Sequence, residues 1–245
     1  MNIASFPEKS NPADLMLTDS SPFLINFFYC GLDFSGFYAL LSSKYRKKNH
    51  IGKIAFMEIV AGTARGLILN SPAETDEVRP TSVRARRAFF DSIGDLHGKI
   101  FADIFAGSGA MGLEAASRGA EKVYFFEREL SVLKIIEKNC ARVTRTGTKT
   151  EFSLIRGEIP PFRTDLARLA SPQIVFADPP YARSMELFKN VTADPRFRVW
   201  AGDAVLFWEL PDKDLMLEVP ADPWKIVAIR TCGPGRFLEL RTVKK

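Results

Sequence analysis

The stretch from Lys99 to Glu114 constrains this chain more than any other. It runs from an apolar, β-favouring segment, Ile100-Phe101-Ala102-Asp103-Ile104, through Gly107-x-Gly109-x-x-Gly112 into small and helix-forming residues. A strand that turns tightly into a helix through glycines leaves backbone N–H groups at the helix start, where a ligand can approach them closely. Such a chain is committed to an α/β fold with a nucleotide-like ligand at the turn.

The rest of the sequence supplies the partners of that unit. Glu58–Ala61 and Leu67–Leu69 flank Gly62-Thr63-Ala64-Arg65-Gly66 and predict a β-hairpin. Pro80 discourages helix at Arg79, Thr81 or Ser82 can cap, and a helix is expected to about Ile93, with Gly94 ending it. Arg79, Arg84, Arg86 and Arg87 crowd this segment, and Arg84 and Arg87 lie one turn apart on one side, as a phosphate-facing surface would need. Further strands are predicted at Lys122–Phe126, Phe152–Ile155, Gln173–Ala177 and Ala204–Trp208. Helices are predicted at Ala110–Ser117, at Leu130–Val143, around Arg163–Leu169 and after Arg183. This alternation describes a mostly parallel, doubly wound sheet. Only Thr231-Cys232-Gly233-Pro234-Gly235 separates Lys225–Arg230 from Arg236–Arg241, so the last strand is expected to run antiparallel.

The glycine turn leaves the ligand open. Glu127 ends the second strand, twenty residues after Gly107, where an acid can hydrogen-bond ribose hydroxyls. That spacing suits a nicotinamide-dependent dehydrogenase as well as an S-adenosylmethionine (AdoMet) methyltransferase. Asp178-Pro179-Pro180-Tyr181 separates the two. It closes the fourth strand of the parallel set, in the crevice where doubly wound sheets bind ligands. An exocyclic amino group on a planar ring is a poor nucleophile, because its lone pair is delocalised into the ring. The Asp178 carboxylate and the Pro179 carbonyl, each accepting one N–H, would turn that lone pair toward a methyl donor. The prolines hold the acceptors rigid, and Tyr181 can stack on a base drawn out of its helix. Positioning and charge stabilisation suffice for such a transfer, and no metal is needed. A dehydrogenase has no use for the tetrad.

From Glu58 to the C-terminus the chain resembles the bacterial 16S ribosomal RNA guanine-N2 methyltransferases. The resemblance rests on Ala61-Gly62…Arg65-Gly66, on Arg79-Pro80-Thr81…Arg84-x-Arg86…Phe90, on Asp103-x-Phe105-Ala106-Gly107-Ser108-Gly109-Ala110-x-Gly112-Leu113-Glu114-Ala115, on Glu127 and on Asp178–Tyr181. It implies a Rossmann-like class I AdoMet-dependent methyltransferase domain preceded by a small N-terminal β-hairpin. The acceptor it implies is a guanine of 16S rRNA within an assembled or partly assembled small subunit. By position, the loop Ala106-Gly107-Ser108-Gly109 with Asp103 and Phe105 would hold the methionine part of AdoMet, Glu127 the ribose and Glu158 the adenine edge. Asp178, Pro179 and Tyr181 would grip the target base. The chain departs from the family pattern at Leu67, Val83 and Arg87, and Glu158 replaces a more usual Asp or Asn. A DNA adenine-N6 methyltransferase also uses this tetrad, and a catalytically silent RNA-binding assembly factor could keep the scaffold. The first usually carries a target-recognition region for which this chain has little room, and the intact tetrad speaks against the second.

The organisation expected is an extension over residues 1–56, a hairpin and arginine-rich helix over 57–98 and the methyltransferase domain over 99–245. The extension is rich in Phe and Tyr between Pro22 and Leu41 and carries Lys44-Tyr45-Arg46-Lys47-Lys48. Asn26 and Asp33 interrupt its apolar run well short of the roughly 20 residues a membrane helix needs, so no membrane association is expected. Met57 directly precedes the first strand and is a candidate natural start. Cys30, Cys140 and Cys232 form no Cys-x-x-Cys pair, and His50 and His97 lack partners at ligand spacing, so no metal site is expected. A net charge of +5 permits a polyanionic partner without requiring one. The expectation is a cytoplasmic, monomeric enzyme.

Overall fold

The computed structural model describes residues 57–71, 83–157, 159–162, 164–210 and 220–243. Residues 1–56, Arg79, the expected caps Thr81 and Ser82, and Glu158 lie outside the described residues.

The chain opens on a short antiparallel hairpin, β1 (Met57–Glu58) with β2 (Ile68–Leu69), extended by Ile59 N–H donating to the Leu67 carbonyl at 3.0 Å. A seven-stranded sheet follows, built from β3 (Ile100–Asp103), β4 (Lys122–Glu127), β5 (Glu151–Arg156), β6 (Ile174–Ala177), β7 (Val205–Glu209), β8 (Trp224–Cys232) and β9 (Gly235–Thr242), in the order β5-β4-β3-β6-β7-β9-β8. The pairs from β5 to β7 are parallel, and β9 is antiparallel to both of its neighbours. This is the mostly parallel, doubly wound sheet with an antiparallel last strand that the sequence predicts.

Strand alternation sorts the interior into two layers. On one face Phe101, Phe125, Phe176 and Phe207 pack under α1 (Val83–Ile93), α2 (Ala110–Ser117) and α3 (Leu130–Thr144), together with the hairpin. On the other, Ala102, Phe126, Val175 and Trp208 pack under α4 (Ser184–Ala193) and α5 (Pro195–Ala201). Phe89 of α1 meets Phe176 and Phe207 edge to face at 5.2 and 5.0 Å, which locks that helix over the centre of the sheet.

Two predicted helices differ from those observed. The one after Arg183 is broken into α4 and α5, because Asp194 leaves helical geometry and its side chain caps the Arg196 and Phe197 amides ahead of Pro195. The helix expected around Arg163–Leu169 is a single 3₁₀ turn, Leu166–Arg168, capped by Asp165 and followed closely by Pro172.

The hairpin is fastened to α2 by polar contacts. Glu114 is 0% exposed, and its carboxylate accepts the Val60 and Ala61 amides at 2.7 and 3.0 Å and Arg118 Nε at 2.8 Å. Arg86, 1% exposed, lies 3.6 Å from the same carboxylate and donates through Nη2 to the Glu58 carbonyl. The sequence reading placed Arg86 on a phosphate-facing surface; the structure overturns this. Arg86 shares a helix face with Ala85, Phe89 and Phe90, all buried, so its guanidinium serves the fold. Gly62 has φ +81° and sits so close to Ser117 that a Cβ would overlap the Ser117 carbonyl, so glycine is required there. Removing one partner of a buried ion pair costs about 3–5 kcal/mol. Arg86→Ala is therefore expected to lower the unfolding free energy in urea by that amount. Arg87→Ala removes an ion pair with exposed Asp91 at 3.8 Å and is expected to stay within about 0.5 kcal/mol of wild type.

Candidate active site

The carboxyl ends of β3, β4 and β6 lie side by side, and each delivers one acid to the same face of the sheet. Asp103 follows Phe101 by two residues on β3, Glu127 follows Phe125 on β4, and Asp178 follows Phe176 on β6. Because side chains repeat every second residue in a strand, all three point toward the α1–α3 layer, where the glycine turn enters α2.

The turn is held from both sides. Gly107 N–H donates to Glu127 Oε2 at 2.9 Å, and Glu129 N–H donates to Glu127 Oε1 at 2.9 Å. One carboxylate thus ties the turn to the start of α3, with lone pairs left to accept further donors. Gly109 closes the turn with φ +78° and caps α2, while a Cβ on Gly112 would overlap the Phe125 ring. The third glycine of the motif therefore serves helix–sheet packing, and the first two shape the ligand cradle. Ala106 N–H donates to the Phe126 carbonyl at 3.0 Å, so the cradle continues the sheet. Ser108 is buried and Phe105 half-buried, its ring 5.8 Å from Trp208.

Asp103 is buried beneath this cradle and accepts the Gly112 and Phe105 amides. Burial, with the nearby charges of Asp178 and Glu127, pushes its pKa up to about 8, against the pull of those amides. Asp103 pairs with Phe176 on β6, so Asp178, two residues further on, lies on the same face of the neighbouring strand. Beyond Asp178, Pro179 is buried and Tyr181 stands 52% exposed at the start of a 3₁₀ turn, Tyr181–Arg183. Trp208 of β7 donates to Ser184 Oγ at 3.1 Å and anchors the segment that follows the tetrad.

The structure brings together Asp103, Phe105, Ala106, Gly107, Ser108, Gly109, Glu127, Asp178, Pro179 and Tyr181 at one edge of the sheet. Arg84 and Arg87 are exposed on α1. Arg84 adjoins the β8–β9 turn, since a Cβ on Gly233 would lie 3.7 Å from the Arg84 carbonyl. That turn follows β8, which runs parallel to β7, so it too lies at the carboxyl edge. Among the described residues there is no group of three or more His, Cys, Asp or Glu side chains that could hold a metal ion. The Cys140 thiol, pushed up to about 12 by burial, is inert as a nucleophile.

The site fits AdoMet better than a dinucleotide. Glu127 and Asp178 would repel a diphosphate at the cradle and attract a sulfonium, while Glu127 can also accept from a ribose diol. Fold and site together define a class I methyltransferase. Residues 57–238 match the family described as Conserved hypothetical protein 95, and the chain belongs to that family. It is 30% identical over 192 residues to ribosomal RNA small subunit methyltransferase D of Escherichia coli K12, spanning 77% of this chain and 90% of that protein. The Haemophilus influenzae protein of the same name is 29% identical, spanning 72% and 89%. Among solved structures, Escherichia coli yhhF, provisionally described as a methyltransferase, superposes with a TM-score of 0.60 at 25% identity over 77% of this chain and 98% of its own. A hypothetical protein of Thermus thermophilus gives 0.56 at 30% identity, over 76% and 99%.

An acid whose folded pKa lies above its unfolded value is disfavoured when ionised. Its burden on stability is absent below the unfolded value, near 4, grows as pH rises and is complete above about 8. Asp103→Asn keeps an acceptor for the two amides and removes that burden. In thermal melts of ligand-free protein its gain in Tm over wild type is expected to grow from pH 4 to pH 8 and level off above.

Proposed function

We propose that this protein transfers a methyl group from AdoMet to the exocyclic N2 amino group of a guanine in small-subunit ribosomal RNA. The observation that carries the reading is the convergence of Asp103, Glu127 and Asp178 at the mouth of the glycine cradle, directly beside Pro179 and Tyr181. The RNA acceptor is supported by the relatives named for small-subunit ribosomal RNA, of which this chain spans nine-tenths, and the guanine N2 atom by the family resemblance in the sequence.

AdoMet supplies an electrophilic methyl on a positively charged sulfur. The turn Ala106-Gly107-Ser108-Gly109, with Asp103 and Phe105, would hold its methionine part, and Glu127 its ribose; Glu158 is assigned the adenine edge from sequence position alone. Asp178 accepts one N–H of the target amine and the Pro179 carbonyl the other, so the nitrogen lone pair is aimed at the methyl. As the amine becomes an ammonium, Asp178 faces the developing charge and takes up the released proton. Tyr181, exposed at the rim, stacks on the base drawn into the site. Arg84 and Arg87, with Arg79, provide phosphate contacts along the approach.

Asp178→Ala is expected to lower kcat at least about 100-fold while AdoMet affinity by calorimetry stays close to wild type; near-normal turnover would remove Asp178 from the proposed role. Replacing Arg84 and Arg87 together by Ala is expected to weaken RNA binding and to flatten the log K against log salt slope by about 1.4, roughly 0.7 for each lost single-strand phosphate contact. The function itself is tested by transfer of radiolabelled methyl to small ribosomal subunits from cells lacking the protein. Label recovered as N2-methylguanosine in the small-subunit RNA supports the reading. Label on DNA adenine instead would keep the chemistry and replace the substrate.

A further inference from the structure

An amine grip of Asp178, Pro179 and Tyr181 does not by itself choose a base. Guanine N2 and adenine N6 are both exocyclic amines on planar rings, and either could be held by two acceptors. What separates the two bases is the neighbouring ring nitrogen: N1 of guanine carries a proton, whereas N1 of adenine is an acceptor. A site that selects guanine therefore needs a second acceptor beside the amine grip.

The sheet places one there. Strands β6 and β7 are parallel neighbours with Ala177 opposite Trp208, so Asp178 and Glu209 come next, level with each other at the carboxyl edge. Adjacent strands lie about 4.8 Å apart, which two side chains spanning one base edge can bridge. Trp208 belongs to the α4–α5 layer and Phe207 to the α1–α3 layer, so Glu209 points to the same face as Asp178. Its backbone is fixed by pairing with Phe237 of β9 and by Leu210 N–H donating to the Arg236 carbonyl at 2.8 Å. Glu209 is only 8% exposed. A hydrogen bond that a carboxylate so shielded from water makes to a substrate counts for more than the same bond at an open surface.

We propose that Glu209 is the specificity-determining residue of this site, its carboxylate accepting the N1–H of the target guanine while Asp178 and Pro179 hold the N2 amine. Adenine in the same pose would set its N1 lone pair against that carboxylate and be rejected. The inference rests on the guanine-N2 reading and deepens it. Sites built around a substrate N–H discriminate steeply against analogues lacking it, because the donor that the acceptor requires is then replaced by a repelling lone pair.

The test uses the full chain on small ribosomal subunits from cells lacking it, with wild type, Glu209→Gln and Glu209→Asp assayed in parallel for methyl transfer, AdoMet affinity and Tm. Once wild type has located the methylated guanine, subunits carrying adenine at that position are assayed too. Glu209→Gln keeps an uncharged, weaker acceptor for guanine N1–H and adds a donor that can serve adenine N1, so kcat/KM on guanine subunits is expected to fall about 10-fold. Its AdoMet affinity is expected to hold, and its adenine-to-guanine rate ratio to rise. Glu209→Asp remains acceptor-only and is expected to keep the adenine-to-guanine rate ratio at the wild-type value. An adenine-to-guanine rate ratio left unchanged by Glu209→Gln would overturn the proposal. So would equal losses in both variants together with a lowered Tm, since that marks a residue of the fold. Wild type that methylates no guanine would overturn the underlying reading first and this inference with it.

Discussion

The buried carboxylate of Glu114 is the contact on which the architecture of the α1–α3 layer depends. It lies one turn inside α2, the helix that the glycine cradle opens, and it takes hydrogen bonds from two amides of the hairpin and from Arg118, with Arg86 of α1 beside it. Three distinct elements, the hairpin, α1 and α2, thus share one charge. A carboxylate at zero exposure is tolerable only when donors surround it, so none of the three pieces can shift without stranding it. α2 begins at Gly109 and α1 covers the central strands, so what fixes these helices to each other also fixes the cradle and the arginines at its rim.

That contact explains which parts of the molecule were legible in the sequence. The parallel strands could be read because each holds a short apolar run bounded by glycine, proline or an acid, and the antiparallel last pair because only five residues separate its two runs. The cradle and the tetrad could be read because their residue types are dictated by local backbone demands, as at Gly109 with its left-handed φ. Arg86 was misread. Among four nearby arginines the solvated or phosphate-facing role looks uniform, and charge conceals burial. The signal was present in the spacing: Arg86 stands three and four residues before Phe89 and Phe90, on the face that enters the core. The break between α4 and α5 was missed because a capping Asp before Pro195 is a terminus signal inside what otherwise reads as one helix. Glu209 carries no local motif, and only the β6–β7 register, a tertiary fact, sets it beside Asp178.

The carboxyl edge is consistently acidic on one face. Asp103, Glu127, Asp178 and Glu209 come from four adjacent strands of a sheet in which Phe101, Phe125, Phe176 and Phe207 precede them by two residues. The same alternation that builds the aromatic core therefore builds the floor of the site, one layer higher. Core and site are two levels of a single pattern, which is why so few loop residues are needed to shape the cradle. Burial first, and the neighbouring acids second, hold the Asp103 carboxyl above its usual range, and a cation placed over the floor favours its ionised form.

An acidic floor also restricts how a nucleic acid can approach. Phosphates are repelled from the carboxylates, so the backbone of an RNA strand cannot settle into the cradle, whereas an uncharged base can. The arginines that would attract the backbone must then stand outside, and Arg84 and Arg87 do so, exposed on α1, with Arg84 adjoining the β8–β9 turn. Burial of Arg86 sharpens this separation, because its charge is spent on Glu114 rather than added to the rim. On the proposed reading, positive rim and negative floor would together favour one pose, with the strand held at the edge and a single base turned inward, its amino group toward Asp178 and its ring nitrogen toward Glu209.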